Sequence, residues 1–310
     1  MKNEVCDDFE FHRKGKYRVS NRIFLDLVFN NACNCNCPFC IARTKTYSEN
    51  DPEAWKKAVK KTLEIFREEI DSMIILGGEA TIDPDFFVRL DWLDEMTEGD
   101  HIFTILTTNG IMLKDSSFLN RLKESSIDSV NISVMHYDQE KNDRLMGART
   151  LTKEQLRQIR DELHRVGKTV RFNTNVAKNN LDSVEEMEEY VKAFKGCFDA
   201  VKFTPLMKTD MFGTTDAVLA YTHEYALSKE EIRKLFDGFA DRHQKNRFNN
   251  NVFGLISYGD VTAFGEHVIL KYEQVEDMYD LDDTIPTLKL YPNGCLSNEW
   301  SYRKNILGDF

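Results

Sequence analysis

Four of the seven cysteines in this 310-residue chain lie within eight positions, in the stretch ACNCNCPFC. Cys33, Cys37 and Cys40 have the spacing C-x3-C-x2-C, and Cys35 is the middle residue of the first gap. Three thiolates on one tight loop can bind three corners of an iron–sulfur cluster and leave its fourth iron open. The loop is therefore a candidate metal centre.

Zinc is the alternative metal for this loop. A structural zinc site normally takes four protein ligands, commonly from two separated pairs. The remaining cysteines, Cys6, Cys197 and Cys295, show no paired spacing that would supply a second pair. Cys35 could act as a fourth ligand only with awkward geometry, because another cysteine lies two residues away on each side. On the motif alone, a zinc loop or a set of incidental buried thiols stays open.

Short apolar runs rich in strand-forming residues alternate with helical segments over the first two thirds of the chain. The predicted strands are 24–30, 72–78, 101–110, 129–138, 169–176 and 200–206. The predicted helices are 52–70, 83 to about 94, 116–125, 152–166 and 183–194. Strands apolar enough for burial on both faces, each alternating with a helix, predict a parallel α/β architecture.

Polar or glycine residues end four of these strands, in the stretches GGE, TTNG, HYD and NTN. The carboxyl ends of parallel strands carry the chemistry of α/β barrels, and those of doubly wound sheets do so as well. Periodicity alone does not separate the two architectures. Either one places these polar residues at the edge of the sheet where a site is expected.

The alternation of strands and helices stops after residue 207. The predictions there are a loop over 207–226, a helix over 228–243 and strands over 267–272 and 287–297, the last one turning at 292–294. We therefore predict three parts of the chain. They are an N-terminal segment 1–22, a domain 23–206, and a C-terminal extension or lid 207–310.

Composition limits the class of protein. The chain is 41% hydrophobic and 30% charged, which is typical of a soluble globular protein, and no window approaches 18 uninterrupted apolar residues. We expect a protein of the reducing cytoplasm without membrane contact, where clustered cysteines more often bind metals or act in catalysis than form disulfides. A net charge of −11 disfavours loose binding to nucleic acid.

The cysteine motif directly after the first strand, together with GGE at the end of the second, resembles the radical S-adenosylmethionine (radical SAM) superfamily. The resemblance covers about residues 22–206. It implies an α/β fold, a partial (β/α)6 TIM-like barrel with a C-terminal α+β extension. It also implies a [4Fe-4S] cluster that binds S-adenosylmethionine (SAM) at its open iron, and cluster ligands Cys33, Cys37 and Cys40.

The same resemblance implies which residues bind SAM. Phe39 stands at the position that packs the adenine, and Gly77, Gly78 and Glu79 match the GGE segment that binds the methionyl amino group; Ala80 replaces the proline that often follows. Short polar residues resemble those that bind the methionyl carboxylate or the ribose: Thr108, Asn109, Ser133, Asn173 and Asn175. For each of these, an ordinary hydrogen bond at a strand end is the structural alternative.

Residues that could act on substrate are assigned more loosely. His136 and Tyr137 follow the fourth strand and are expected to face the cavity, with His136 a general base or a substrate contact. Cys295 is a candidate hydrogen-atom donor, and a half-buried hairpin cysteine is the alternative. Cys35 is expected to face away from the site. Further candidates are Lys202, Tyr258, Asp260, His267 and Trp300.

The leading hypothesis is an enzyme that reductively cleaves SAM to a 5′-deoxyadenosyl radical, which abstracts hydrogen from a small molecule or peptide. Modification of a natural product or a ribosomal peptide is favoured. A nucleotide substrate is the alternative, and RNA is disfavoured by the acidic balance. Rivals of other classes are a non-catalytic metal-binding scaffold and a zinc-dependent barrel hydrolase.

The resemblance also implies an electron source and bears on the number of clusters. A one-electron reductant such as flavodoxin or ferredoxin is the expected partner. Related SPASM and twitch enzymes carry a second cluster on a cysteine-rich C-terminal segment. Here only Cys197 and Cys295 lie beyond the first loop, so we predict one cluster.

Overall fold

The computed structural model describes residues 11–42, 49–100, 102–210, 214–250, 257–272, 284–300 and 303–309. It begins with an antiparallel pair of strands, β1 (Phe11–Lys14) and β2 (Tyr17–Val28). β2 therefore starts before the predicted strand 24–30. The proposed division of the chain at residues 22 and 206 stays a prediction.

Five strands continue from β2 in chain order, and all of them are parallel. They are β3 (Ile70–Leu76), β4 (Phe103–Thr108), β5 (Ser129–Ser133), β6 (Thr169–Val176) and β7 (Ala200–Pro205). The helices between them are α1 (Pro52–Phe66), α2 (Phe86–Met96), α3 (Ser116–Glu124), α4 (Gln139–Met146), α5 (Lys153–His164) and α6 (Val184–Ala193). Among the described strands β2 and β7 do not pair with each other. The predicted α/β class with a partial barrel is confirmed.

The C-terminal extension joins this sheet at both of its edges. It consists of α7 (Asp216–Tyr225), α8 (Lys229–Asp241), β8 (Gln244–Asn250), β9 (Ser257–Ala263), β10 (Glu266–Lys271), β11 (Thr284–Leu290) and β12 (Leu296–Ser297). β10 runs parallel to β7, with Ile269 opposite Lys202. β11 runs parallel to β2, with Lys289 opposite Asp26. Eight neighbouring parallel strands result, from β11 through β10.

Two local predictions were wrong. Segment 207–226 is not all loop, because α7 occupies its second half; only Val218 and Thr222 of that helix are buried, which leaves little apolar periodicity in the sequence. The strand predicted over 129–138 ends at Ser133, and α4 follows it. The short α4 buries few residues and went unrecognised.

The two faces of each barrel strand have different surroundings. Leu25 and Leu27 on β2, and Phe29 just after it, are fully buried in the main core on the helix side, where Phe29 packs against Trp55 of α1. Asp26 lies on the opposite face, since side chains alternate along a strand. Side chains alternate between the two faces of each strand, so the strands are apolar where they face the helices and polar where they face the barrel interior.

A buried ion pair fixes the segment that follows β3. The Nε of Arg89 lies 3.3 Å from the Oδ2 of Asp83, and both side chains are fully buried. The guanidinium lies 4.8 Å from the ring centroid of Trp55 and donates to the Oδ1 of Asn50 at 2.7 Å. Arg89 of α2 therefore ties the start of α1 to the segment that follows the GGE sequence.

None of the helices in the described ranges combines the length and the apolar character that a bilayer crossing requires.

Candidate active site

The cysteine loop forms one wall of a cavity of about 350 Å³ at the carboxyl ends of the barrel strands. Cys33, Cys37 and Cys40 all line this cavity. It has the size of a small-molecule binding site. We call it the strand-end cavity.

The glycine pair after β3 lets the cysteine loop lie directly on the barrel. The N–H of Gly78 donates to the carbonyl of Asn30 at 2.9 Å, and the N–H of Glu79 donates to the carbonyl of Ala32 at 2.7 Å. A Cβ on Gly77 would lie 2.5 Å from the Asn30 carbonyl oxygen, and a Cβ on Gly78 would collide with the Ala32 carbonyl. Only glycine permits this approach.

The side chain of Glu79 is buried and accepts four hydrogen bonds. Its Oε1 accepts from the Thr108 hydroxyl at 2.6 Å, the Thr81 hydroxyl at 2.6 Å and the Thr81 N–H at 3.2 Å. Its Oε2 accepts from the Asn109 N–H at 2.6 Å. Burial raises the pKa of Glu79, and these hydrogen bonds oppose the rise. The carboxylate joins the ends of β3 and β4, and its four partners are protein groups.

Two further contacts hold the cysteine loop. The Nδ2 of Asn109 donates to the Oδ1 of Asn34 at 2.6 Å, which links the loop to the end of β4. On the other side, the Asn36 N–H donates to the Met146 carbonyl at 2.9 Å. Gly147, with φ of +60°, ends α4 there, and a Cβ on it would lie 2.7 Å from the Asn36 carbonyl oxygen.

The thiols have the chemistry that an iron–sulfur cluster needs. A hydrogen bond from Cys35 lowers the pKa of Cys33 to about 7, which favours the thiolate that binds iron. The same contact, with burial, raises the pKa of Cys35 far above its usual range. Cys35 was expected to face away from the site. This expectation was wrong, because Cys35 also lines the strand-end cavity.

The donor set fits a [4Fe-4S] cluster. Three thiols line one cavity, and the single acid among the lining residues, Glu79, already has protein partners. Within the described residues, no three His, Cys, Asp or Glu side chains lie close enough to bind one metal ion as they stand. To bind a cluster, the three thiols would have to turn toward a common centre. They lie on a loop that contains no helix or strand, and such a loop allows this rotation.

Every residue predicted to bind SAM lines the strand-end cavity: Phe39, Gly77, Gly78, Glu79, Thr108, Asn109, Ser133, Asn173 and Asn175. Ser133, Asn173 and Lys202 form one row across β5, β6 and β7, because each is the register partner of the next. The Oδ1 of Asn173 is buried and has no hydrogen-bond partner among the described residues. A bound ligand could satisfy it.

His136 and Tyr137 do not line the cavity, contrary to expectation. The Nδ1 of His136 accepts from the Asp138 N–H at 2.9 Å, and its ring stacks on Tyr137 at 4.2 Å. Burial and the charge of Lys141 lower the pKa of His136 to about 4. Both rings lie in the turn after β5, and the Nε2 of His136 is buried without a hydrogen-bond partner among the described residues.

Cys295 also lies outside the cavity lining. It is buried in a small cluster with Val28 and Tyr291, and its thiol donates to the Lys304 carbonyl at 3.1 Å. Burial raises its pKa to about 11. These contacts are those of a structural cysteine and give no support to hydrogen-atom donation.

The remaining candidates lie in different places. Asp260 and His267 form a partly exposed hydrogen bond at 3.2 Å and do not line the cavity. The side chain of Tyr258 and all of Cys6 lie outside the described residues. Trp300 and Lys202 both line the cavity.

Sequence reasoning missed the apolar wall of the site. Met135, two residues after β5, and Met146, the last residue of α4, line the cavity and form a small cluster with Leu145. Phe39 packs against that cluster. Asp138 as the N-cap and Gly147 as the C-cap of α4 were the sequence signal that could have placed Met146 beside the loop.

The extension contributes to the cavity and to its surroundings. Met207 and Trp300 line it. The ring of Tyr221 on α7 lies 6.2 Å from that of Phe39, and its hydroxyl accepts from the Nδ2 of Asn179 at 2.9 Å. These contacts place the extension against the cysteine loop, where a lid was expected.

Solved structures share this fold. SuiB from Streptococcus suis bound to S-adenosylmethionine gives a TM-score of 0.62 at 16% identity, covering 94% of this chain and 66% of that one. SuiB bound to precursor peptide SuiA gives 0.59, covering 93% and 64%. Native anSMEcpe with bound AdoMet and Cp18Cys peptide gives 0.53 at 20% identity, covering 71% and 59%. At these identities the similarity establishes the fold alone.

Two curated proteins are similar over shorter stretches. The 7,8-dihydro-6-hydroxymethylpterin dimethyltransferase of Methanocaldococcus jannaschii is 28% identical over 114 residues, which are 36% of this chain. The probable GTP 3′,8-cyclase of Methanosarcina mazei is 25% identical over 178 residues, which are 56% of this chain. The matches span only 22% and 51% of those two proteins.

Replacing Glu79 by glutamine tests the polar junction at the strand ends. The amide would put an NH₂ group against donors that now meet a carboxylate oxygen. We expect Glu79→Gln to lower the free energy of unfolding in urea by about 1–3 kcal/mol and to retain less iron after reconstitution. The exposed Glu64→Gln on α1 is the control and should match wild type in both. Wild-type stability and iron content in Glu79→Gln would contradict this role.

His136 predicts a pH dependence of stability. Its pKa is about 4 in the folded chain and about 6.5 in the unfolded one. The neutral form therefore adds stability that is present above pH 6.5 and is lost as the pH falls toward 4. This group alone should lower the free energy of unfolding by about 2 kcal/mol between pH 7 and pH 5.

The matched variant is His136→Asn, whose Oδ1 can accept the same backbone hydrogen bond without titrating. The difference in urea unfolding between pH 7 and pH 5 should be smaller in this variant than in wild type. Equal differences would show that His136 does not titrate in this window.

The radical SAM superfamily model matches residues 27–195, more than half of the chain. This match agrees with the cysteine loop, the glycine pair and the partial barrel described above. The chain belongs to the radical SAM superfamily and is a radical SAM enzyme.

Proposed function

We propose that this enzyme holds one [4Fe-4S] cluster on Cys33, Cys37 and Cys40 and uses it to modify a peptide substrate. The observation that carries the proposal is the strand-end cavity. It brings these three thiols, the Gly77–Glu79 segment and the polar ends of β4, β5 and β6 to one space.

The cluster and SAM, when bound, supply a one-electron reductive cleavage that yields a 5′-deoxyadenosyl radical able to abstract hydrogen. The chain binds and orients the reacting molecules. Gly77 and Gly78 give a ligand close access to backbone, and Ser133, Asn173 and Asn175 offer polar atoms on the opposite wall. Met135, Met146 and other apolar lining residues help to exclude water, which protects a reactive radical.

A peptide substrate is supported by the similarity of folds. SuiB is bound to precursor peptide SuiA and anSMEcpe to the Cp18Cys peptide in structures that this chain resembles. A nucleotide is the second candidate, because the probable GTP 3′,8-cyclase is 25% identical over 178 residues. Ribosomal peptides and short nucleotides are therefore the two substrate sets to screen.

A single cluster is supported by where the other described thiols lie. Cys197 is fully buried, and its thiol faces the Lys153 carbonyl at 3.9 Å. Cys295 is buried near Val28 and donates to Lys304. Within the described residues these two thiols occupy different surroundings and have no ligand partners.

An electron donor can approach the cysteine loop from outside the barrel. Cys33 is exposed, and a second, open cavity of about 660 Å³ on the loop is lined by all four of its cysteines. A flavodoxin or ferredoxin that places its redox group at this surface would serve as the one-electron reductant.

Substitution of the cluster ligands tests the proposal. After anaerobic reconstitution, wild type should bind about four irons per chain and form 5′-deoxyadenosine from SAM with dithionite. Cys33→Ala, Cys37→Ala and Cys40→Ala should each lose most of this activity, because three thiolates are needed to hold the cluster. Iron analysis and chromatography of the products provide the measurement.

Cys35→Ala is the matched control, since it removes a thiol from the same loop and is expected to keep the cluster and SAM cleavage. Loss of iron from Cys35→Ala would show that the fourth thiol is needed, either as a ligand or as the hydrogen-bond donor to Cys33. About eight irons per chain in wild type would refute a single cluster. Full iron loading without any 5′-deoxyadenosine would favour the metal-binding scaffold.

A further inference from the structure

Four cationic side chains on four strands face the interior of the barrel. They are Arg171 on β6, Lys202 on β7, Lys271 on β10 and Lys289 on β11, and each alternates with residues buried in the main core. Lys289 has a counter-charge, since its Nζ lies 3.2 Å from the Oδ2 of buried Asp26. Lys202 and Lys271 form no ion pair with any residue that the structure describes.

Lys202 is the cation that lines the strand-end cavity. It makes no hydrogen bond or ion pair with any residue that the structure describes. Its register partners are Asn173 on β6 and Ile269 on β10, and Thr204 follows on the same face of β7. Asn173 and Thr204 also line the cavity, so an amine, an amide and a hydroxyl share one wall.

Two further cations flank Lys202 diagonally. Arg171 lies two residues before Asn173, and Lys271 lies two residues after Ile269, which puts each about 8 Å from Lys202 in a regular sheet. Burial, then the charges of Arg171 and Lys271, lower the pKa of Lys202 well below its usual range. An anion bound at Lys202 would offset both effects.

We propose that Lys202, with Asn173 and Thr204, binds an anionic group of the substrate, either a carboxylate or a phosphate. Arg171 and Lys271 add positive potential to this wall. The inference deepens the proposed function and rests on it, because it gives the substrate of the same cavity a negative charge. A carboxylate would come from an acidic peptide and a phosphate from a nucleotide.

The test compares wild type with Lys202→Met in reconstituted enzyme saturated with SAM. Sodium phosphate and sodium glutarate serve as probes, each measured against sodium chloride at equal ionic strength. The apparent Kd comes from the rise of the unfolding temperature with anion concentration. Lys57→Met, which removes an exposed lysine of α1, is the charge-matched control.

We expect at least one anion to stabilise wild type and Lys57→Met in a saturable way. Lys202→Met should bind it about tenfold or more weakly, keep the wild-type Kd for SAM, and unfold in chloride no more easily than wild type. A response to phosphate alone identifies a phosphorylated substrate, and a response to glutarate alone identifies a carboxylate.

Four results would overturn the inference. The first two are no anion response in wild type and an unchanged response in Lys202→Met. The third is a weakened Kd for SAM in Lys202→Met, which would mean that the lysine binds the SAM carboxylate. The fourth is marked destabilisation of that variant in chloride, which would reveal a counter-charge within the chain. Formation of 5′-deoxyadenosine by the same wild-type preparation tests the proposed function separately.

Discussion

The buried carboxylate of Glu79 is the contact on which the arrangement of the site depends. It accepts hydrogen bonds from the turn after β3 and from the end of β4, and Asn109 extends this junction to Asn34 of the cysteine loop. A buried carboxylate costs free energy unless it is hydrogen-bonded, so this geometry has few alternatives. Glu79 and Asn109 thereby hold the cysteine loop, and with it the thiols, at the strand ends.

The open barrel explains why the extension matters. β10 and β11 continue the sheet at its two edges, so residues far apart in sequence contribute to one interior. Met207 and Trp300 complete the cavity lining. The ring centroid of Trp300 lies 4.7 Å from the Nζ of Lys289. A substrate entering the barrel would meet a mouth built from both ends of the chain and a wall that carries Lys202.

Much of the fold was predictable from sequence, and the failures have physical causes. The strand–helix alternation identified the six core strands, because their helix-facing residues are strongly apolar. α4 and α7 were missed because short helices with few buried residues lack a clear period. The pairing of β10 with β7 and of β11 with β2 joins segments distant in sequence, and local patterns do not encode such contacts.

Some residues of the candidate site could likewise be placed from sequence, and others could not. The place of Cys33, Glu79 and Asn173 beside the cavity could be predicted, because each lies after or near the end of a predicted strand. His136 could not be placed correctly, since its expected position assumed that β5 continued past Ser133. To predict that Arg171, Lys202 and Lys271 lie close together, one must know the register of β6, β7 and β10. Only the structure supplies that register.

The most direct test of the central claim is electron paramagnetic resonance of the reduced, anaerobically reconstituted enzyme with and without SAM. If the cysteine loop holds a cluster whose open iron faces the strand-end cavity, SAM should change the g-values of the cluster signal. A cluster signal that stays unchanged while equilibrium dialysis shows bound SAM would place the two cofactors apart and contradict the account.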